Sequence, residues 1–147
     1  MSVGTAVSEF RTLVVEDNEA FLQFVISTLR QQPNVQIVCE ARDGIEAVER
    51  AEALQPDLIL LDIGLPGLNG IEAAYLIREL APDARILFLS QESAAEIIRE
   101  AFKLGAWGYV IKAQAVKELP LAVEALLNGK KAFASEELYG PARGNSI

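Results

Sequence analysis

Short apolar runs alternate along the chain with stretches whose apolar residues recur every three or four positions. Thr12–Val15 is the first run, and it ends in Glu16-Asp17-Asn18. A helical stretch from about Glu19 to Gln32 places Phe21, Val25 and Leu29 on one face. Pro33-Asn34 breaks it, and the run Val35–Cys39 follows. Asp43-Gly44 leads into a helix over Ile45–Leu54, with Ile45, Val48 and Ala51 at helical spacing. The third run, Asp57–Leu61, ends at Asp62. Its four consecutive apolar residues do not alternate with polar ones, which suits a central parallel strand covered on both faces. A loop, Gly64–Gly70, precedes a helix from about Ile71 to Leu80 that Pro82 stops. Arg85–Leu89 ends at Ser90. A helix over Ser93–Leu104 aligns Ala94, Ile97, Ala101 and Leu104. Trp107–Ile111 ends at Lys112, and the last helix spans about Val116 to Asn128. Pro120 falls in its first turns, where a missing N–H costs least.

Five such strand–helix units predict an α/β fold, an open parallel sheet with helices on both faces. The folded unit is read as residues 11–129, with a flexible lead-in over 1–10 and a tail over 130–147. That tail is expected to be ordered near Phe133 and loose after Gly140.

In an open α/β sheet, ligands bind beyond the carboxyl ends of the strands. Here those ends carry Glu16-Asp17, Asp62, Ser90 and Lys112. A single polar residue after a strand is ordinarily a helix cap or a turn residue. Four such positions converging on one edge form a set: three carboxylates, a hydroxyl and an ammonium. Carboxylates about 4 Å apart repel by roughly 4 kcal/mol per pair at an effective dielectric of about 20. Such a cluster calls for a proton or a cation, and hard oxygen ligands with room for water suit Mg²⁺ (or Mn²⁺). Glu16 and Asp17 would hold the metal and Asp62 would share it. Lys112 and Ser90 could pair with phosphate oxygens. This is equipment for phosphoryl transfer to a carboxylate.

Composition narrows the alternatives. The 147 residues are 51% hydrophobic and 23% charged, enough to bury one core. A net charge of −8 opposes nucleic-acid binding, and Lys130-Lys131 is a poor basic footprint, better read as a solvated helix end. With no histidine, His-based zinc sites and imidazole-dependent dyads are excluded. The lone Cys39 permits no internal disulfide, fits a cytoplasmic protein and reads as a small core residue. No apolar stretch reaches the length of a membrane span, and residues 1–10 do not form a signal peptide.

Four segments carry a family resemblance: Val14-Val15-Glu16-Asp17-Asn18, Leu60-Leu61-Asp62-Ile63-Gly64-Leu65-Pro66-Gly67-Leu68-Asn69-Gly70, Phe88-Leu89-Ser90, and Gly105-Ala106-Trp107-Gly108-Tyr109-Val110-Ile111-Lys112. Together they resemble the response-regulator receiver domain of two-component systems. The resemblance implies a flavodoxin-like (βα)5 doubly wound sheet with strand order 2-1-3-4-5. It also implies a phosphoacceptor at Asp62, supplied by a histidine kinase, a phosphotransfer protein or a small acyl phosphate. Mg²⁺ would be held by Glu16, Asp17, Asp62 and the Gly64 carbonyl. Ser90 and Lys112 would contact the phosphoryl oxygens, and Tyr109 would be the switch aromatic. Many receivers have Asp where this chain has Glu16, which puts metal affinity in question rather than function. Gly64 and Glu92 stand where the family tunes acyl-phosphate hydrolysis.

Read without the family, Trp107 is packing and Tyr109 a partly exposed tyrosine on the face opposite Gly108. The resemblance implies a switch rather than an enzyme, with partners or a second copy binding the 93–128 face. The segment Asn128–Leu138 is similar to the exit from the receiver in the LuxR-type branch. The chain is then a stand-alone receiver or part of a transcription factor. Three rivals carry less. A haloacid-dehalogenase-type phosphatase wants an acid where Gly64 stands. No Walker or dinucleotide glycine motif follows the first strand. A degenerate, phosphorylation-independent interaction module is opposed by the retention of Asp62, Ser90 and Lys112.

Overall fold

In the computed structural model, which describes residues 9–133, six parallel strands form one sheet in the order β2-β1-β3-β4-β5-β6. The elements are β1 (Phe10–Val15), α1 (Glu19–Leu29), β2 (Val35–Ala41), α2 (Gly44–Leu54), β3 (Leu58–Asp62), α3 (Gly70–Leu80), β4 (Arg85–Ser90), α4 (Ala95–Lys103), β5 (Gly108–Ile111), α5 (Ala115–Leu127) and β6 (Ala132–Phe133). The expected order 2-1-3-4-5 is present, with one short strand added at the β5 edge. The apolar strands are buried on both faces by two core layers. Ile59 and Leu61 point to the α2–α3–α4 layer, where Ala47, Ala51, Ala74, Ile77 and Ile98 meet them. Leu58 and Leu60 point to the α1–α5 layer, with Leu22, Val25, Leu119 and Val123. At about 25 cal/mol per Å² of apolar area, these layers are the main stabilising term.

Helix starts follow the sequence signals. Asn18, Asp43 and Asn69 cap α1, α2 and α3 by accepting from the amides of Phe21, Glu46 and Glu72. Asn69 and Glu72 form a reciprocal capping box. Gly70 lies against β3 so closely that a Cβ would collide with the Asp62 carbonyl. The loop after Asp62 can therefore fold back onto the strand only with glycine there.

Several local expectations are corrected. Ile45 is 58% exposed, because α2 turns Gly44, Ala47 and Ala51 inward. Small residues there let α2 and α3 approach closely. Ser93 and Ala94 precede α4, and Ile98 takes the inward place expected for Ala94. Cys39 is half-buried at the edge of the core rather than within it, since β2 is an edge strand. Trp107 lies just before β5, with the Arg85 guanidinium 4.5 Å from its ring centre. Residues 1–8 and the stretch after Gly140 lie outside the described residues.

β6 was legible only as an ordered point near Phe133. It pairs Ala132 with Gly108 and Phe133 with Tyr109. A Cβ on Gly108 would run into the Ala132 carbonyl, so glycine is what admits this strand. Among the described residues, no helix is long and apolar enough to cross a membrane.

Candidate functional site

The ends of β1, β3, β4 and β5 deliver their polar residues to one cleft of about 360 Å³. Asp17, Asn18, Asp62, Gly64, Ser90, Glu92 and Lys112 are among the residues lining it. The register dictates this convergence. Val15 pairs with Leu61, Asp62 with Leu89 and Ser90 with Ile111, so the residues that follow in each strand meet at the same level.

Glu16 is fully buried and Asp62 is 4% exposed. Lys112 reaches both: its Nζ is 2.9 and 3.0 Å from the two Glu16 oxygens and 3.4 Å from Asp62 Oδ2. The Asn18 amide donates to Glu16 Oε2 at 3.0 Å, and the Gly64 amide donates to Asp62 Oδ1 at 3.1 Å. Glu16 Oε1 lies beside the ammonium but outside hydrogen-bonding angles, and it has no other donor. Burial pushes the Glu16 carboxyl above its ordinary range; Lys112 and the Asn18 amide oppose that rise, and the charge of Asp62 adds to it. The Lys112 ammonium also lies 4.7 Å from the Phe21 ring centre.

Ser90 is 1% exposed, and its Oγ accepts from the Glu92 amide at 2.9 Å. Tyr109 is fully buried, not partly exposed as the sequence alone suggested. The strand alternation turns it toward the α2–α3–α4 layer, 6.3 Å centre to centre from Phe88. Its hydroxyl donates to the Glu92 carbonyl at 2.8 Å. Desolvation raises the Tyr109 phenol above its ordinary pKa, with the Ser90 hydroxyl opposing. Ser90, Glu92 and Tyr109 thus form one hydrogen-bonded corner of the cleft.

Glu16, Asp17 and Asp62 each offer an oxygen, and these three oxygens lie within 4.8 Å of one another. Three carboxylates face one ammonium, which leaves the cleft short of positive charge. With a buried, underpartnered oxygen on Glu16 and an exposed Asp17, the donor set fits a hard divalent cation.

Residues 12–124 match the family model of the response regulator receiver domain. The chain belongs to this family. The receiver is 31% identical over 122 residues to the transcriptional regulatory protein DegU of Brevibacillus brevis, covering 83% of this chain and 52% of that protein. It is 34% identical over 118 residues to the nitrate/nitrite response regulator NarL of Escherichia coli K12, covering 80% of this chain and 55% of that protein. The chain therefore spans about half the length of these curated relatives. Among solved structures, a LuxR-family response regulator from Aurantimonas sp. SI85-9A1 superposes with a TM-score of 0.85 at 31% identity, over 95% of this chain and all of that one. The fold is accordingly the flavodoxin-like receiver fold, and receivers of two-component systems bind Mg²⁺ at an acidic pocket of this kind. They are phosphoacceptor switches rather than conventional enzymes.

All the predicted site residues except Glu16 and Tyr109 line the cleft directly, and those two touch residues that do. Sequence reasoning missed two contributors. Asn18 acts through its backbone amide on Glu16, which no side-chain pattern reports. Phe21 was placed only on the apolar face of the first helix with Val25 and Leu29, yet its ring also faces the Lys112 ammonium. An aromatic residue in the first turn after the acidic pair was the available signal.

Proposed function

We propose that this receiver takes a phosphoryl group onto Asp62 from a histidine kinase, a phosphotransfer protein or a small acyl phosphate. The observation that carries the reading is the bridging of Asp62 and Glu16 by Lys112 inside an acidic cleft. An Asp62 oxygen attacks phosphorus; a P–O bond forms as the donor's bond to phosphorus breaks, and the electron pair leaves with the donor. Glu16, Asp17, Asp62 and the Gly64 carbonyl would hold Mg²⁺, with Glu16 also facing Lys112. When bound, the ion neutralises the incoming phosphoryl oxygens. Lys112 would move from Asp62 Oδ2 to a phosphoryl oxygen, and Ser90 would turn its hydroxyl from the Glu92 amide to another. That turn loosens the corner holding Tyr109, coupling the cleft to α4, β5 and α5. Exposed Phe102, Val116 and Leu121 on the 93–128 face support a homodimer or partner surface there.

The degenerate-module alternative is not favoured, because the acceptor, hydroxyl and ammonium share one cleft. The acidic charge supports no DNA contact by this polypeptide itself, and the single cysteine fits a cytoplasmic setting. The test is phosphorylation by acetyl phosphate with Mg²⁺. Wild type should incorporate one phosphoryl group, whereas Asp62→Asn should incorporate none; equal labelling of the two would end the assignment.

A further inference from the structure

Lysine carries its charge on a flexible four-carbon stem with three rotatable donors. In this receiver the Lys112 side chain is 13% exposed and borders a second cleft of about 390 Å³, lined by Asn18, Phe21, Gln91, Lys112 and Ala113. That opening is a route by which the ammonium can swing away from the carboxylates. The Phe21 ring forms one wall of it, 4.7 Å from Nζ.

The ring's place is fixed by a closed circuit. The Asn18 amide donates to Glu16 Oε2 at 3.0 Å, and Asn18 Oδ1 accepts from the Phe21 amide at 2.8 Å. The ring then faces Lys112, whose ammonium returns to Glu16 at 2.9 Å. Phe24 neighbours the ring, centre to centre 5.4 Å at a 44° tilt, without taking part in this circuit. The helix cap that starts α1 therefore also aims an aromatic face at the ammonium.

We propose that Phe21 is a positioning residue for Lys112 in the phosphoryl-transfer step, an inference that rests on the phosphoacceptor reading above. A ring face attracts an ammonium without the directional demand of a hydrogen bond. It holds the charge at the cleft while the N–H groups exchange an Asp62 oxygen for a phosphoryl oxygen. An aliphatic side chain of similar volume would keep the packing and lose the hold.

The test compares four variants of the full chain, reacted with acetyl phosphate at saturating Mg²⁺. Phe21→Leu should slow phosphorylation about three- to tenfold, the scale of one partly shielded cation–π contact. Phe21→Tyr and Phe21→Trp should restore the wild-type rate. Phe24→Leu, which alters the same ring pair away from Lys112, should react like wild type. A wild-type rate in Phe21→Leu, failure of both aromatic replacements to restore it, or equal slowing in Phe24→Leu would each overturn the proposal. A second readout does not depend on phosphorylation. The Lys112 ε-methylene proton resonance should be shifted upfield by the ring in wild type and Phe21→Tyr, and not in Phe21→Leu. An unshifted resonance in wild type overturns the positioning role, whereas a shifted resonance with no labelling of wild type would count against the phosphoacceptor reading.

Discussion

The two ends of the sheet treat charge in opposite ways. At the end where β1 and β3 begin, polar groups are paired and capped. The Arg11 amide donates to Asp57 Oδ2 at 2.8 Å, and its guanidinium donates to the carbonyls of Leu54 and Gln55. The Gln55 side chain donates to the Glu52 and Leu80 carbonyls, and Arg85 donates to the Leu126 carbonyl at 2.6 Å. The Arg11 amide is met by a carboxylate, and the side-chain donors satisfy carbonyls at helix C-termini or in loops, so charge here serves the fold. At the other end, Glu16 and Asp62 are buried beside Asp17, one ammonium serves them, and a Glu16 oxygen lacks a hydrogen-bond donor. An arrangement left electrostatically unfinished gains nothing for stability by itself. A cation and a phosphoryl group, as proposed above, would complete it, and such unfinished charge is what marks that end as the functional candidate.

Four measurements bear on this contrast. The largest concerns the metal. Chelating divalent cations should reduce phosphorylation by acetyl phosphate by about two orders of magnitude or more, the scale of losing a metal's charge stabilisation. Labelling that is indifferent to chelator would remove the reason for the acidic cluster.

Next is stability. Lys112→Ala should destabilise the metal-free protein by about 3 kcal/mol near neutral pH, because it strands a buried carboxylate. Arg11→Ala at the opposite end should cost only about 1 kcal/mol, the loss of partly exposed hydrogen bonds, and leave labelling unchanged. Denaturant melts of both variants read this difference, and equal losses would erase the contrast.

The third outcome follows from the raised Glu16 pKa. The folded state holds this proton more tightly than the unfolded chain does. Glu16 therefore contributes most below its unfolded pKa, and that contribution is lost as pH rises through the higher folded value. Relative to Glu16→Gln, metal-free wild type should lose stability as pH rises from about 4.5 toward neutral. Mg²⁺ should reduce the loss. A difference between the two proteins that does not vary with pH would contradict the burial argument.

The smallest effect lies at Tyr109, whose phenol is also raised by burial. Its contribution is complete below the unfolded value of about 10 and is lost as pH rises through the folded value. Tyr109→Phe should therefore show a shallower alkaline loss of stability than wild type, measurable by melts above about pH 10.

Much of this was legible in the residues themselves. The uninterrupted run Leu58–Leu61 announces a doubly covered central strand, and strand-end Asp62, Ser90 and Lys112 converge because parallel strands share one carboxyl edge. What was not legible depends on tertiary spacing. Ile45 is exposed because Gly44 and Ala47 let α2 sit close to its neighbours, a choice that apolar periodicity does not encode. β6 is two residues long and exists because Gly108 leaves room for it, a pairing between segments separated by a helix. Tyr109 can be buried to its hydroxyl because the Glu92 carbonyl receives that hydroxyl, a contact 17 positions away along the chain. Lys112 satisfies Glu16 as well as Asp62, 96 residues before it in the first case, and only the folded register brings them together.

The central claim is that the phosphoryl group resides on Asp62 and not on another carboxylate of the cluster. Borohydride reduction of the phosphorylated protein converts an aspartyl phosphate into homoserine, and peptide mass mapping locates it. Homoserine is expected at position 62 alone, formed only when Mg²⁺ and phosphodonor are both present. Reduction product at position 17, or reduction of Glu16 instead, would contradict it.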